Sequence, residues 1–306
     1  MLSWELIGAV VGAGMASGRE IAAFFTQYGC WSHVGIFLAV MTMLFLVDTP
    51  LPVAWEKRWP EKLWSLLLAM LLVATGGAML SGAGEIAALT LPVHGAYWLG
   101  MAITLALAWR LAHRTIGGLA WVSRVMLAVF VLMLMVGFTL KPMPGMPIPA
   151  GNLPRAVLYG AAYGGFNAAL QTTILKHDRN TRIYRKRAIF KACMLLFVII
   201  LMGNAVLLRH SSLQGKAMPF MQMLMQFGRI GYYLGAICLY LAILSTLTAC
   251  LKGLGNSAWK NGLVCLAALV GFSGVVEFFY PMLGIGFLCV LTAAKCWNYV
   301  GSSFHS

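Results

Sequence analysis

The chain has 306 residues, 61% of them hydrophobic and only 10% charged, and 22 Lys and Arg against 8 Asp and Glu give a formal net charge of +14. A soluble domain carries roughly 45–50% apolar and about 25% charged residues, so this composition excludes an ordinary soluble globular protein. The basic residues lie in short islands between apolar runs rather than on one continuous face, which argues against nucleic acid as a partner. A polytopic membrane protein remains.

A spanning helix takes about 20 residues, so ten of them would use roughly 200 positions and leave only short connections. In chain order, apolar runs punctuated by charge or proline predict helices over 5–28, 33–54, 63–89, 95–112, 117–139, 155–175, 187–208, 229–252, 260–276 and 279–299. The first run contains Arg19-Glu20 and follows no basic n-region, so no cleavable signal peptide is expected. The seven cysteines include no CxxC, and they predict neither zinc nor a disulfide framework.

Between the fifth and sixth runs lies 141–154, KPMPGMPIPAGNLP, whose closely spaced prolines predict an extended connection. It separates residues 1–140 from 155–306, with five predicted spans in each. Five is odd, so two copies of one five-helix unit would cross the membrane in opposite senses, as in inverted-repeat transporters. The whole is expected to form one integral membrane domain.

With a cytoplasmic N-terminus, the cytoplasmic connections hold fifteen Lys and Arg and the outer ones five (Lys141, Arg155, Arg209, Lys216 and Arg229). The Lys/Arg bias sets orientation, so both termini are expected in the cytoplasm. The island 176–187, KHDRNTRIYRKR, supplies much of this signal; an anionic-lipid contact there is open but not required.

The first run, IGAVVGAGMASGREIAAFF, has Gly8, Gly12, Gly14 and Gly18 within eleven residues, then Arg19-Glu20 at a depth where charge is costly. Gly8 and Gly12 have the spacing of close helix packing. Ser17-x-x-Glu20 has the form of a capping box, a helix-start signature. A helix start inside a span means a broken span, and a break frees amide and carbonyl groups that can hold an anion and a cation respectively. The sixth run, YGAAYGGFNAALQTT, offers a matching interruption at Gly164-Gly165 beside Tyr163, Phe166 and Asn167. Interrupted helices at corresponding places in two halves point to a central transport site. Asn167 and Gln171, one turn apart, suit either a cavity or an interhelical hydrogen bond. In the eighth run Ser245 and Thr246 are adjacent hydroxyls, suited either to bonding the preceding turn or to ligating a hard cation.

With GAGMASGREIAAFF as its most specific segment, the chain resembles the YkvI-type uncharacterised bacterial membrane proteins over its whole length. More distantly it resembles the amino acid/polyamine/organocation transporters and sodium symporters of the LeuT fold. That resemblance implies an all-α, five-plus-five inverted repeat with helices one and six broken, in the inner (plasma) membrane of a bacterial cell. It also implies a sodium site from the carbonyls of Gly8, Val11 and Ala242 with the hydroxyls of Ser245 and Thr246. A second sodium site is not expected, because Met15 stands where those symporters carry Asn. Gly18 stands where some carry an external-gate arginine, and Arg19 follows it.

The expected function is secondary transport of a small organic solute, such as an amino acid, by alternating access. Substrate contacts are expected from Gly14, Met15, Ala16, Ser17 and Gly18, whose backbone amides around Met15 to Gly18 would receive an anionic group. Tyr163, Gly164, Gly165, Phe166 and Asn167 would supply the opposite wall. No cofactor is expected apart from sodium as coupling ion, and no enzyme activity. The alternative is a non-transporting sensor or receptor subunit that keeps the pocket.

Overall fold

The computed structural model describes residues 2–52, 55–56, 58–113, 119–145, 151–175, 181–255 and 257–303. The described residues form helices and connections with no strand. The first predicted span is three short helices, α1 (Leu2–Val10), α2 (Ala13–Ser17) and α3 (Arg19–Phe24), followed by a 3-10 segment at Thr26–Trp31. Then come α4 (Ser32–Leu46), α5 (Trp59–Thr90), α6 (Ala96–Ala112) and α7 (Leu119–Thr139). After the proline-rich connection follow α8 (Leu153–Leu175), α9 (Arg182–Arg209), α10 (Pro219–Met223) and α11 (Gly228–Gly253). The chain closes with α12 (Ala258–Ala268), α13 (Phe272–Gly274), a π-helical turn at Val275–Phe279 and α14 (Tyr280–Ser303).

Among the described residues, five stretches are long and apolar enough to cross a membrane: Thr26–Leu46, Trp59–Thr90, Arg182–Arg209, Pro219–Gly253 and Phe272–Val300. Ala96–Ala112 and Val125–Thr139 are shorter apolar helices. The surface confirms the solvent that composition implied. Phe45 on α4, Leu132 on α7, Ile230 on α11 and Phe278 before α14 are 58%, 63%, 76% and 78% exposed. Such a spread of large apolar side chains suits lipid and not water.

The ninth predicted span, 260–276, is not one helix. The last turn of α12 tightens through Leu269, Val270 and Gly271, whose amides bond the carbonyls of Leu266, Ala267 and Ala268. Gly271 then takes a φ of +83°, a left-handed conformation that ends the helix. Residues 272–278 therefore belong with the tenth span. Residues 141–145 are non-helical, as the prolines predict; 146–150, and 176–180 of the basic island, lie outside the described residues.

Packing is organised around two long helices. α8 lies between α4 and α14, and α5 is flanked by α6, α11 and α12. α1 packs on α7, α8 and α9, and α2 reaches α11 and α5. The broken first segment therefore sits inside the bundle, where its free backbone groups are shielded from lipid.

The expected break in the sixth span is absent: α8 runs without interruption from Leu153 to Leu175. Its glycines serve contact instead. A Cβ on Gly164 would overlap Thr42 and the Ala39 carbonyl of α4, and one on Gly165 would meet the Gly284 carbonyl and Leu288 of α14. Small residues here let two backbones approach α8 from opposite sides, and no backbone group is released.

Candidate functional site

The first segment breaks twice. At the first break the Gly12 amide donates to the Val10 carbonyl at 2.9 Å rather than to Gly8, four residues back. The Gly8 carbonyl is left without its helical partner, and no Met15 amide bonds the Val11 carbonyl. At the second break Gly18 has a φ of +87°, and a Cβ there would also crowd the Phe220 ring. Only glycine meets both conditions cheaply.

The capping box does not form. The Ser17 hydroxyl donates to the Gly14 carbonyl at 2.7 Å and accepts the Arg19 amide at 3.2 Å, and α3 has no side-chain cap. Glu20, thereby free of a capping role, turns inward. It is only 5% exposed, and its carboxylate occupies the space that a side chain on Gly14 would fill.

A cavity of about 260 Å³ opens at the first break. Its walls are Gly8 and Gly12 to Gly14 of the first segment, Thr75 and Met79 of α5, and Phe166 of α8. Ser245, Thr246 and Cys250 of α11 and Tyr280 of α14 complete it, with Glu20 on its surface. Phe166 and Tyr280 stack with centroids 4.9 Å apart. The cavity continues past Leu170 to Thr173 and Ile174, toward the end of α8. At that end Thr172 bonds the Val47 carbonyl at 3.1 Å and Arg185 pairs with Asp48 at 2.5 Å.

Arg19, 9% exposed, pairs with Glu277 and donates to the carbonyls of Gln214 at 2.7 Å and Lys216 at 3.2 Å. The register mismatch at Gly18 did not suggest this, because only the fold brings residue 277 beside residue 19.

Of the residues expected at the sodium site, Gly8, Ser245 and Thr246 line this one cavity, with Val11 and Ala242 buried in the segments that carry them. Both hydroxyls donate to the Ala242 carbonyl at 2.9 Å, which gathers three oxygens within hydrogen-bond distance. Of the expected substrate residues, Gly14 and Phe166 line it. Tyr163 is fully buried behind, its ring 5.0 Å from those of both Phe24 and Phe25 and its hydroxyl beside Glu20. Met15 and Ser17 are buried in the segment, and Ala16 borders a different, outward-facing groove between α7 and α11.

The amide donors expected around Met15 to Gly18 are not all available. Those of Ala16 and Gly18 already bond the carbonyls of Gly12 and Met15, and the charged group beside this segment is a carboxylate. Asn167 bonds the Tyr163 carbonyl of its own helix at 2.9 Å, and Gln171 reaches the Leu6 carbonyl of α1 at 3.3 Å. Gln171 thus straps α8 to α1 while the bond of Asn167 stays within α8, and neither residue lines the cavity. Thr75, Met79, Cys250 and Tyr280 were not legible as site residues, since nothing in their local sequence sets them apart.

No known family model matches the chain. Among curated proteins it is similar to the uncharacterized membrane protein YkvI of Bacillus subtilis (strain 168), with 24% identity over an alignment of 341 residues. The alignment takes in 96% of this chain and 94% of that protein. The similarity is thus one of whole chains, and with the long apolar helices it supports a multi-pass membrane protein of YkvI type.

Proposed function

We propose that this protein is a secondary active transporter of a small organic solute, working by alternating access and coupled to sodium. The observation that carries the reading is the cavity at the break in the first segment. It is bordered by Gly8, Gly12 and Gly14 at the break and by the paired hydroxyls of Ser245 and Thr246, and it extends to Thr173 and Ile174 near the end of α8. In this reading the Arg19–Glu277 pair, beside Glu20 on α3, closes the other end, as alternating access requires of an end state. At about 260 Å³, the cavity falls below the roughly 300–1,000 Å³ of drug-sized sites and suits a solute of amino-acid size.

Helix order and pairing support a ten-helix inverted repeat, and the Lys/Arg distribution supports both termini in the cytoplasm. α4 packs on α8 as α9 packs on α1, and α6 on α11 as α12 on α5. These are the exchanges expected when spans one to five are superposed on spans six to ten. In this reading sodium rests on the carbonyls of Gly8, Val11 and Ala242 and the hydroxyls of Ser245 and Thr246, tying α1 to α11. Solute occupies the same cavity between Gly14, Phe166 and Tyr280. Each ligand then favours the arrangement that the other binds, so affinities rise together.

Uptake into proteoliposomes with a sodium gradient, with potassium instead, and with the Ser245→Ala/Thr246→Ala protein tests this. Solute accumulation that depends on sodium and weakens in the double variant supports it. A solute that stabilises the protein yet never crosses the membrane would favour a receptor, and sodium-independent uptake untouched by the double variant would remove the ion site.

A further inference from the structure

The cavity contains one acid that none of the roles above employs. Glu20 is 5% exposed within an apolar bundle, and among the described residues no Lys, Arg or His lies within ion-pair distance of it. Its neighbour Arg19 is turned away, committed to Glu277, Gln214 and Lys216. A buried carboxylate without a counter-charge is expensive, and at membrane depth it marks a place where a cation or a proton is received.

The surroundings fit an organic cation. The stacked rings of Phe166 and Tyr280 line the same cavity, and aromatic faces attract ammonium groups. The hydroxyl of Tyr163 is fully buried beside Glu20, a neutral group that can hydrogen-bond the acid but brings it no positive charge. Gly14 has no side chain at the point where the carboxylate lies, which keeps its place clear.

We infer that Glu20 is the substrate-binding carboxylate for an ammonium group, so the transported solute is a small primary amine or zwitterionic amino compound. This rests on the transport reading for the word transported, and on the cavity alone for binding. The ammonium would pair with Glu20 and lie against the Phe166 and Tyr280 rings, while sodium keeps to the Gly8, Ser245 and Thr246 oxygens.

The test is thermal unfolding of the full-length protein in detergent, in sodium and in potassium chloride. Probes are alanine, leucine, 1,4-diaminobutane and butylamine, each beside an amine-free or N-acetylated counterpart. At least one amine should stabilise the wild-type protein while its counterpart does not. Glu20→Gln, which keeps the volume and removes the charge, should weaken that binding at least about tenfold. Glu20→Asp should retain part of it, and both variants should keep the wild-type response to sodium.

Stabilisation by the amine-free counterparts alone, an unchanged amine affinity in Glu20→Gln, or no response to any amine would overturn the inference. So would a Glu20→Gln protein that loses its sodium response and keeps amine binding, since Glu20 would then be an ion ligand. If Glu20→Gln fails to fold, the Glu20→Asp titration decides: amine affinity identical to wild type at altered carboxylate position would count against it. Amine binding without uptake would defeat the transporter reading and leave this one standing; uptake of a solute lacking any amine would do the reverse.

Discussion

The guanidinium of Arg19 pairs with the carboxylate of Glu277, joining α3 to the π-helical turn that leads into α14. With the carbonyls of Gln214 and Lys216 it also draws the connection between α9 and α10 onto the same side chain. The Glu277 side chain is 47% exposed, so the ion pair itself is solvent-screened and worth about 0–1 kcal/mol.

Glu277→Gln should therefore leave folding intact and loosen this end. Place a single cysteine at Thr75, in the cavity wall, in a chain whose native cysteines are replaced. Its labelling by a membrane-impermeant thiol reagent from the outer side should accelerate by up to about fivefold, the factor that 1 kcal/mol allows. Labelling unchanged in Glu277→Gln and in Arg19→Gln would show that this contact closes nothing.

Ser245 and Thr246 both donate to the Ala242 carbonyl, so each keeps lone pairs for an ion. Replacing both with alanine removes two oxygens worth about 1 kcal/mol each. The sodium concentration for half-maximal uptake or stabilisation should rise by about thirtyfold. Sodium titrations of melting temperature give the value directly.

Gly12 and Gly14 make a discriminating pair. A Cβ on Gly12 meets nothing within 4 Å, whereas one on Gly14 would overlap the Glu20 carboxylate. Gly12→Ala should fold as wild type and merely trim the cavity. Gly14→Ala should displace the acid, with a loss of about 1–3 kcal/mol from overpacking, and lose ligand response as Glu20→Gln does. Equal melting temperatures for the two variants would contradict the placement of Glu20.

Gly164→Ala should destabilise by a similar 1–3 kcal/mol, about, by forcing α4 and α8 apart. Because the effect lies in packing and not in the cavity, ligand affinity of the folded fraction should stay at the wild-type value. Thermal unfolding paired with ligand titration separates the two quantities.

Orientation has its own test. Ser212, exposed beside the proline-rich connection, bonds the Met143 carbonyl at 2.9 Å; Tyr184 opens α9 beside the Asp48–Arg185 pair. In intact cells, an impermeant reagent should label a cysteine at Ser212 and spare one at Tyr184. The reverse pattern would invert the topology.

Much of this molecule was legible in its residues. The apolar runs located the helices, because hydrophobic length is what a bilayer selects. The glycines of the first segment announced its breaks, since a helix interior tolerates few of them without cause. Ser245 and Thr246 stood out as hydroxyls in an apolar helix, and they border the cavity. Gly164-Gly165 misled for a physical reason: a glycine that frees backbone and one that admits a neighbouring helix look identical in sequence. Glu20 was visible but assigned to a cap, because the spacing from Ser17 is local whereas its actual surroundings come from α5, α8 and α14. Arg19 and Glu277 are 258 positions apart, and no local pattern connects them.

The unbroken α8 has one more consequence. Wedged against α4 on one flank and α14 on the other, it has no compliant joint of its own, while the first segment has two, at Gly12 and Gly18. On the proposed transport reading, the stroke that exposes the cavity to alternate sides would then be borne by one bending strut moving against an unbroken spine, and not by two strands flexing in mirror fashion.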